Sequence, residues 1–222
     1  MPHGHVVCTV ALIVPASTSP TPTTCRAGTA RVARILQLDR GRIRTLLLVA
    51  GVVLGCPTWR SLALGAAIVV PGAALHLWTK GCLRIGAEVT TSGPYRWTRN
   101  PFYVATLIVD VGIAVVAANW RIAVVYFPFW FFVHGLTIRH EERVLTDFFG
   151  DRYAAYRARV PRFFPWRGPA RGLPPSAGFS WSNPQLVDGV EYARLVRTFM
   201  APLIVFVGAS LFTIRPYPEL VG

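Results

Sequence analysis

Apolar residues gather into five stretches, at 43–59, 61–78, 102–118, 122–138 and 199–214. Each approaches the roughly 17–25 residues that a helix needs to cross a bilayer. The pattern predicts an all-α fold, a polytopic membrane helix bundle of about five transmembrane helices. Pro57 falls in the first stretch and Pro71 in the second. Membrane helices tolerate proline where neighbours satisfy the freed carbonyl, so both are expected to be kinks. Almost nothing separates the first two stretches, which predicts a helical hairpin with a tight turn at 56–60.

The polar positions between the stretches carry the topology. Arg26, Arg31, Arg34, Arg40, Arg42 and Arg44 precede or open the first stretch, and Lys80, Arg84, Arg96 and Arg99 lie between the second and third. A further run, from Arg139 to Arg197, lies between the fourth and fifth. Of the 23 basic residues, only Arg60, Arg121 and Arg215 fall in the alternate loops. The positive-inside rule then places the chain in the cell inner or plasma membrane with a cytoplasmic N-terminus and an external C-terminus.

Composition sharpens this picture. The chain is 53% hydrophobic and 15% charged, whereas soluble domains carry about 25% charged residues. A net charge of +13 would suit nucleic acid or an anionic surface. The basic residues sit between apolar runs and not on one periodic face, which argues for membrane lipids as partners and against nucleic acid. Residues 6–15 form a short apolar run ahead of a Ser/Thr/Pro tract. The run has a signal-peptide length without the basic flank, and is expected to be a disordered extension or the product of an upstream start. Cys8, Cys25, Cys56 and Cys82 have neither metal-ligand nor disulfide-framework spacing, so no metal is expected.

Candidate chemistry lies where polar residues gather on the basic side. In 88–103, Gly93-Pro94 marks a turn, and Asn100-Pro101 reads as an N-cap followed by the first helical residue. Tyr95, Trp97 and Tyr103 add aromatic surface, which an interfacial belt alone would also explain. In 140–156, Glu141, Leu145, Phe148 and Phe149 keep helical spacing, so the fourth helix is expected to run on out of the bilayer. Gly150 should end it, with a short helical turn beginning at Tyr153. Paired glutamates beside a membrane surface are unusual, although Arg139 or Arg143 could simply neutralise them.

Taken together, Gly93-Pro94-Tyr95, Arg99-Asn100-Pro101-Phe102-Tyr103 and Glu141-Glu142 through Leu145, Phe149-Gly150, Tyr153 and Tyr156 resemble the isoprenylcysteine carboxyl methyltransferase and phospholipid methyltransferase superfamily of integral membrane enzymes. Val160-Pro161-Arg162 and Pro165 continue the likeness, which covers roughly 75–166. The resemblance implies methyl transfer from S-adenosylmethionine to a lipophilic small-molecule or lipid acceptor, with a cytoplasmic cofactor site over a helical hairpin. Carried over by position, Glu88, Val89, Thr90, Tyr95, Asn100, Pro101, Phe102, Tyr103 and Glu141 would bind the cofactor. Arg99 and Glu142 would position the reacting groups. Two departures bear on the acceptor. Asn100 stands where the family has His, and Thr137 stands where the carboxyl methyltransferases place an Arg for the substrate carboxylate. The acceptor atom is therefore left open among carboxylate, amine and thiol.

Asp110, His134 and Arg139 are the candidate substrate contacts. An ionisable group at membrane depth is expensive, and an Asp110–His134 pair across the hairpin would satisfy both groups. Residues 186–197 are expected to form a basic surface linker, with an amphipathic helix lying along the interface as the alternative. The organisation expected is an N-terminal extension (1–42), a first hairpin (43–78), a methyltransferase core (79–166) and a cytoplasmic loop with the last span (167–222). The competing class is a non-enzymatic scaffold or small transporter. No inverted repeats support a transporter, and the paired glutamates with the Arg-x-Pro-x-Tyr core argue against a degenerate scaffold.

Overall fold

The computed structural model describes residues 40–84, 86–187 and 189–213, and residues 1–39, with Cys8 and Cys25, lie outside them. All regular elements among the described residues are helical: α1 (Arg40–Leu54), α2 (Trp59–Cys82), a 3-10 turn (Gly93–Arg96), α3 (Pro101–Ala117), α4 (Trp120–Phe149), α5 (Asp151–Arg159), α6 (Pro184–Val187) and α7 (Gly189–Thr213). α2 and α4 are long and apolar enough to cross a membrane. The apolar parts of α1, α3 and α7 are shorter, so length supports membrane character without establishing five spans. Val125, Phe129 and Phe132 on α4 expose large apolar side chains, as a lipid-facing surface would.

Local chemistry sets the helix ends. Thr58 and Ser61 form a capping box that starts α2. The Ser61 hydroxyl is also 3.1 Å from the Val116 carbonyl at the far end of α3. Asn119 caps α4 through the Arg121 N–H, while its Nδ2 donates to the last carbonyl of α1 at 2.8 Å. Cys56 N–H donates to Ala117 O. These bonds lace the α1–α2 and α3–α4 connections together at one end of the bundle.

Pro57 lies in the α1–α2 connection and kinks no helix, because α1 has already stopped at Leu54. Pro71 does sit inside α2. The expected first hairpin does not pack as one: α1 lies against α7 and α3, while α2 packs most closely on α3. The reason is steric. A Cβ on Gly112 would stand 2.6 Å from Val69 Cγ2 and 2.7 Å from the Gly65 carbonyl, so glycine on both helices lets the two backbones approach. α3 and α4, by contrast, meet sparsely.

The opposite end carries the basic loops. As expected, α4 runs on past its apolar part to Phe149, its 30 residues spanning about 45 Å at 1.5 Å per residue. Gly150 ends it at φ 54°, and α5 follows directly. Residues 189–213 form one helix with Pro202 inside it, in place of the linker or the separate interfacial helix expected over 186–197. A strap between α5 and α6 folds back over 81–96. Asn183 Nδ2 lies within 3.1 Å of the carbonyls of Lys80, Gly81 and Leu83, which satisfies the end of α2. Thr91 bonds Pro174 O and Ser176 Oγ, Ser92 donates to Ala177 O, and Arg96 donates to Ala170 O.

Candidate active site

Every fourth residue of α4 from Ile122 to Glu142 is buried, and the last of this ridge anchors the site. Glu142 is 4% exposed. Its Oε2 accepts from Arg162 Nε at 2.9 Å and lies 2.8 Å from Arg162 Nη2. Its Oε1 lies 3.0 Å from Arg99 Nε and 3.5 Å from Asn100 Nδ2. The Arg99 contact is ionic, since its Nε–H is not aligned on an acceptor. Arg99 Nη1 donates instead to Arg157 O at 3.1 Å, and its backbone N–H donates to Pro161 O at 2.9 Å. The cluster binds three separate pieces of chain: the start of α3, the extension of α4, and the segment after α5.

Asn100 occupies the N-cap position of α3, but its side chain does not cap the helix. Its Nδ2 donates instead to Arg162 O at 2.8 Å, a carbonyl that also accepts from Thr98 Oγ1 at 3.2 Å. Pro101 is the first helical residue, as expected. Phe102 meets His76 edge-on at 4.6 Å between ring centroids and lies under Lys80 Nζ. Tyr103 is buried against His134. Glu88 accepts from Ala177 N–H of the strap, Thr90 Oγ1 accepts from Arg84 N–H, and Val89 packs on Tyr153, Tyr156 and Val160.

Tyr95 is buried in the 3-10 turn that Gly93 permits at φ 56°, and its carbonyl accepts the Tyr156 hydroxyl at 2.8 Å. Burial pushes the Tyr95 phenol far above its ordinary range, with smaller upward pushes from Cys82 and from the Glu141 carboxylate. Glu141 is half-buried, next to Glu142 on α4. Tyr153 and Tyr156 are raised in the same direction, again chiefly by burial.

The three expected substrate contacts are not brought together. Asp110 is 1% exposed and accepts from Arg44 Nε at 2.7 Å, Tyr126 OH at 2.8 Å and Trp130 Nε1 at 3.0 Å. The expected Asp110–His134 pair does not form, because these three donors already surround the carboxylate. His134 Nδ1 lies 3.0 Å from Trp130 O, and its ring stacks on Trp130 at 4.2 Å. Arg139 is exposed and lines a cavity of about 180 Å³ with Glu142, Arg143, Arg157 and Arg162.

Residues 61–152 match the family model of phospholipid methyltransferase. This part of the chain is similar to the isoprenylcysteine and phospholipid methyltransferases. Over 79 residues the chain is 38% identical to protein-S-isoprenylcysteine O-methyltransferase of Mus musculus, covering 35% of this chain and 28% of that one. It is 28% identical over 142 residues to the nickel-cobalt-cadmium resistance protein NccN of Alcaligenes xylosoxydans xylosoxydans, covering 58% of this chain and 66% of that one. Methanethiol S-methyltransferase 1 of Bradyrhizobium diazoefficiens is 33% identical over 73 residues, covering 33% and 25%. The matches to the two methyltransferases thus span about a quarter of their length. No solved structure matches significantly.

Sequence reasoning quoted Arg162 as part of the superfamily pattern but gave it no role, and it passed over Arg44 as one more basic-loop residue. The signal for Arg44 was its place inside an apolar stretch, where a cation needs a partner at depth. For Arg162 there was none beyond its position after Pro161, since the burial of Glu142 is a tertiary fact.

Proposed function

We propose that the protein transfers a methyl group from S-adenosylmethionine to a lipophilic acceptor at the cytoplasmic face of the membrane. The observation that carries this reading is the Arg99–Asn100–Glu142–Arg162 cluster. It joins the two motif segments, and its Arg99, Asn100 and Glu142 lie within the stretch that matches the family model.

The donor set fits such a cofactor. Glu141 offers a half-buried carboxylate next to Glu142 in the chain, suited to an ammonium or sulfonium charge. Phe102, half-buried, offers an aromatic face for a purine, and the buried Tyr95 and Tyr103 would support it from behind. When bound, the cofactor supplies an electrophilic methyl group, so the protein needs no nucleophile of its own. Glu142 holds Arg99 and Arg162 in place and thereby fixes the start of α3 relative to α4. The strap over 81–96 excludes water from the polar end. What these residues contribute is orientation and a dry site, which can supply several kcal/mol of barrier lowering. The sparse contact between α3 and α4 supports approach of the acceptor from the lipid side, between those helices.

The test is calorimetric titration of S-adenosylmethionine into detergent-solubilised protein. Saturable binding is expected, weakened about tenfold or more by Glu141→Gln, equivalent to about 1.4 kcal/mol. A folded wild type that fails to bind would sink the proposal. Transfer of labelled methyl from the cofactor into a membrane lipid extract would then identify the acceptor.

A further inference from the structure

We propose that the arginine pocket between α4 and α5 binds the phosphate of an anionic membrane lipid. Arg139, Arg143, Arg157 and Arg162 converge on the 180 Å³ cavity, and Glu142 is the sole carboxylate lining it. That carboxylate is already neutralised by Arg99 and Arg162. Arg139 and Arg143, one turn apart, make no ion pair with any described residue. Arg157 Nη1 reaches only a hydroxyl, that of Thr146 at 3.3 Å. Guanidinium groups gathered this way repel one another unless an anion sits among them, and their planar forks match phosphate oxygens in pairs.

The source of the phosphate follows from the helix. On α4, Val125, Phe129, Phe132, Leu136, Arg139 and Arg143 follow one another at steps of three and four, so they form one stripe. Val125, Phe129 and Phe132 are exposed and apolar, and Arg139 and Arg143 are exposed and basic. From Phe132 to Arg139 the axial rise is about 10 Å. An acyl chain lying on the apolar part would bring its headgroup to the arginines, where an anionic membrane surface attracts basic residues. The pocket shares Glu142 and Arg162 with the cluster above, but the test changes only Arg139 and Arg143, so its failure and that of methyl transfer are distinguishable.

The test uses the full chain in neutral detergent, with phosphatidylglycerol, phosphatidylcholine and inorganic phosphate as probes and native mass spectrometry as readout. Wild type is expected to retain phosphatidylglycerol about tenfold better than phosphatidylcholine, with millimolar phosphate competing. Arg139→Gln/Arg143→Gln should lose that preference while melting at the wild-type temperature. Arg139→Lys/Arg143→Lys is the second variant should the first unfold, and it should keep part of the preference. Equal retention of the two lipids by wild type, or unchanged preference in a folded variant, would overturn the proposal. Phosphate binding that does not compete with lipid would overturn the lipid source. Loss of S-adenosylmethionine binding in the Gln variant, with lipid preference intact, would assign the pocket to the cofactor instead.

Discussion

The buried carboxylate of Asp110 is the sharpest test of the fold, because the structure makes it a clamp and the sequence alone left it a substrate contact. Asp110→Asn keeps the shape and one acceptor oxygen but removes the charge that faces Arg44. Breaking a buried ion pair from one side costs about 3–5 kcal/mol. Arg44 keeps 21% side-chain exposure, so water screens part of the loss and the lower end applies, about 3 kcal/mol. For a chain of this size that corresponds to a fall in melting temperature of roughly 6–12 °C. Arg44→Met should cost a similar amount, since it strands the carboxylate with only the Tyr126 and Trp130 donors. Made together, the two changes should cost less than their sum by about 2 kcal/mol, within the range of direct contacts. Thermal unfolding of the detergent-solubilised protein, followed by tryptophan fluorescence, reads all four corners of the cycle. Additive single changes would refute the clamp. So would an Asp110→Asn protein of unchanged melting temperature that has lost methyl transfer, which would return Asp110 to the substrate.

Three further expectations follow from the packing. Glu142→Ala strands the largely buried Arg99, while Arg162 keeps 45% side-chain exposure and is screened by water; the change should cost about 3 kcal/mol, the low end for a buried pair, and abolish S-adenosylmethionine binding, checked by melting and titration together. Gly112→Val drives a side chain into Val69 and the Gly65 carbonyl, and overpacking of about 1–3 kcal/mol should appear as lower melting and poorer folded yield. Tyr95, Tyr153 and Tyr156 have phenols raised above their ordinary value, chiefly by burial. The folded state thus keeps protons that the unfolded state releases near pH 10. Their contribution is complete below that pH and fades as pH rises above it, so stability should decline at alkaline pH, with tyrosinate absorbance at these three positions rising only on unfolding.

The helices of the bundle were legible because hydropathy and helix length are local properties. Gly150 and Pro101 were legible for the same reason: a positive φ and a missing N–H are decided by the residue itself. Asn100 shows where that reasoning stops. Its position at the head of α3 was readable, but a buried carbonyl 62 residues away in sequence captured its side chain. Pro57 failed as a kink because α1 ended two residues before the tight turn began, a matter of α1 docking on α7. The motif residues were found by resemblance, and no spacing argument would have joined Arg99 to Glu142 across the whole of α4.

The two polar clusters also explain why α3 and α4 touch so little. The buried ridge of α4 runs through Ile122, Tyr126, Trp130, His134, Ile138 and Glu142. At 100° per residue, each step of four advances the contact by about 40°, or about 200° over five steps. A helix whose early turns face the Asp110 clamp therefore presents its last ridge residue to a different part of the same neighbour, the head of α3 and not its middle. At Tyr126 and Trp130 the partner is Asp110 of α3, while at Glu142 it is the Arg99 and Arg162 pair. His134 lies midway, already rotated past Asp110 and resting on Trp130 and Tyr103, so the expected pair could not form.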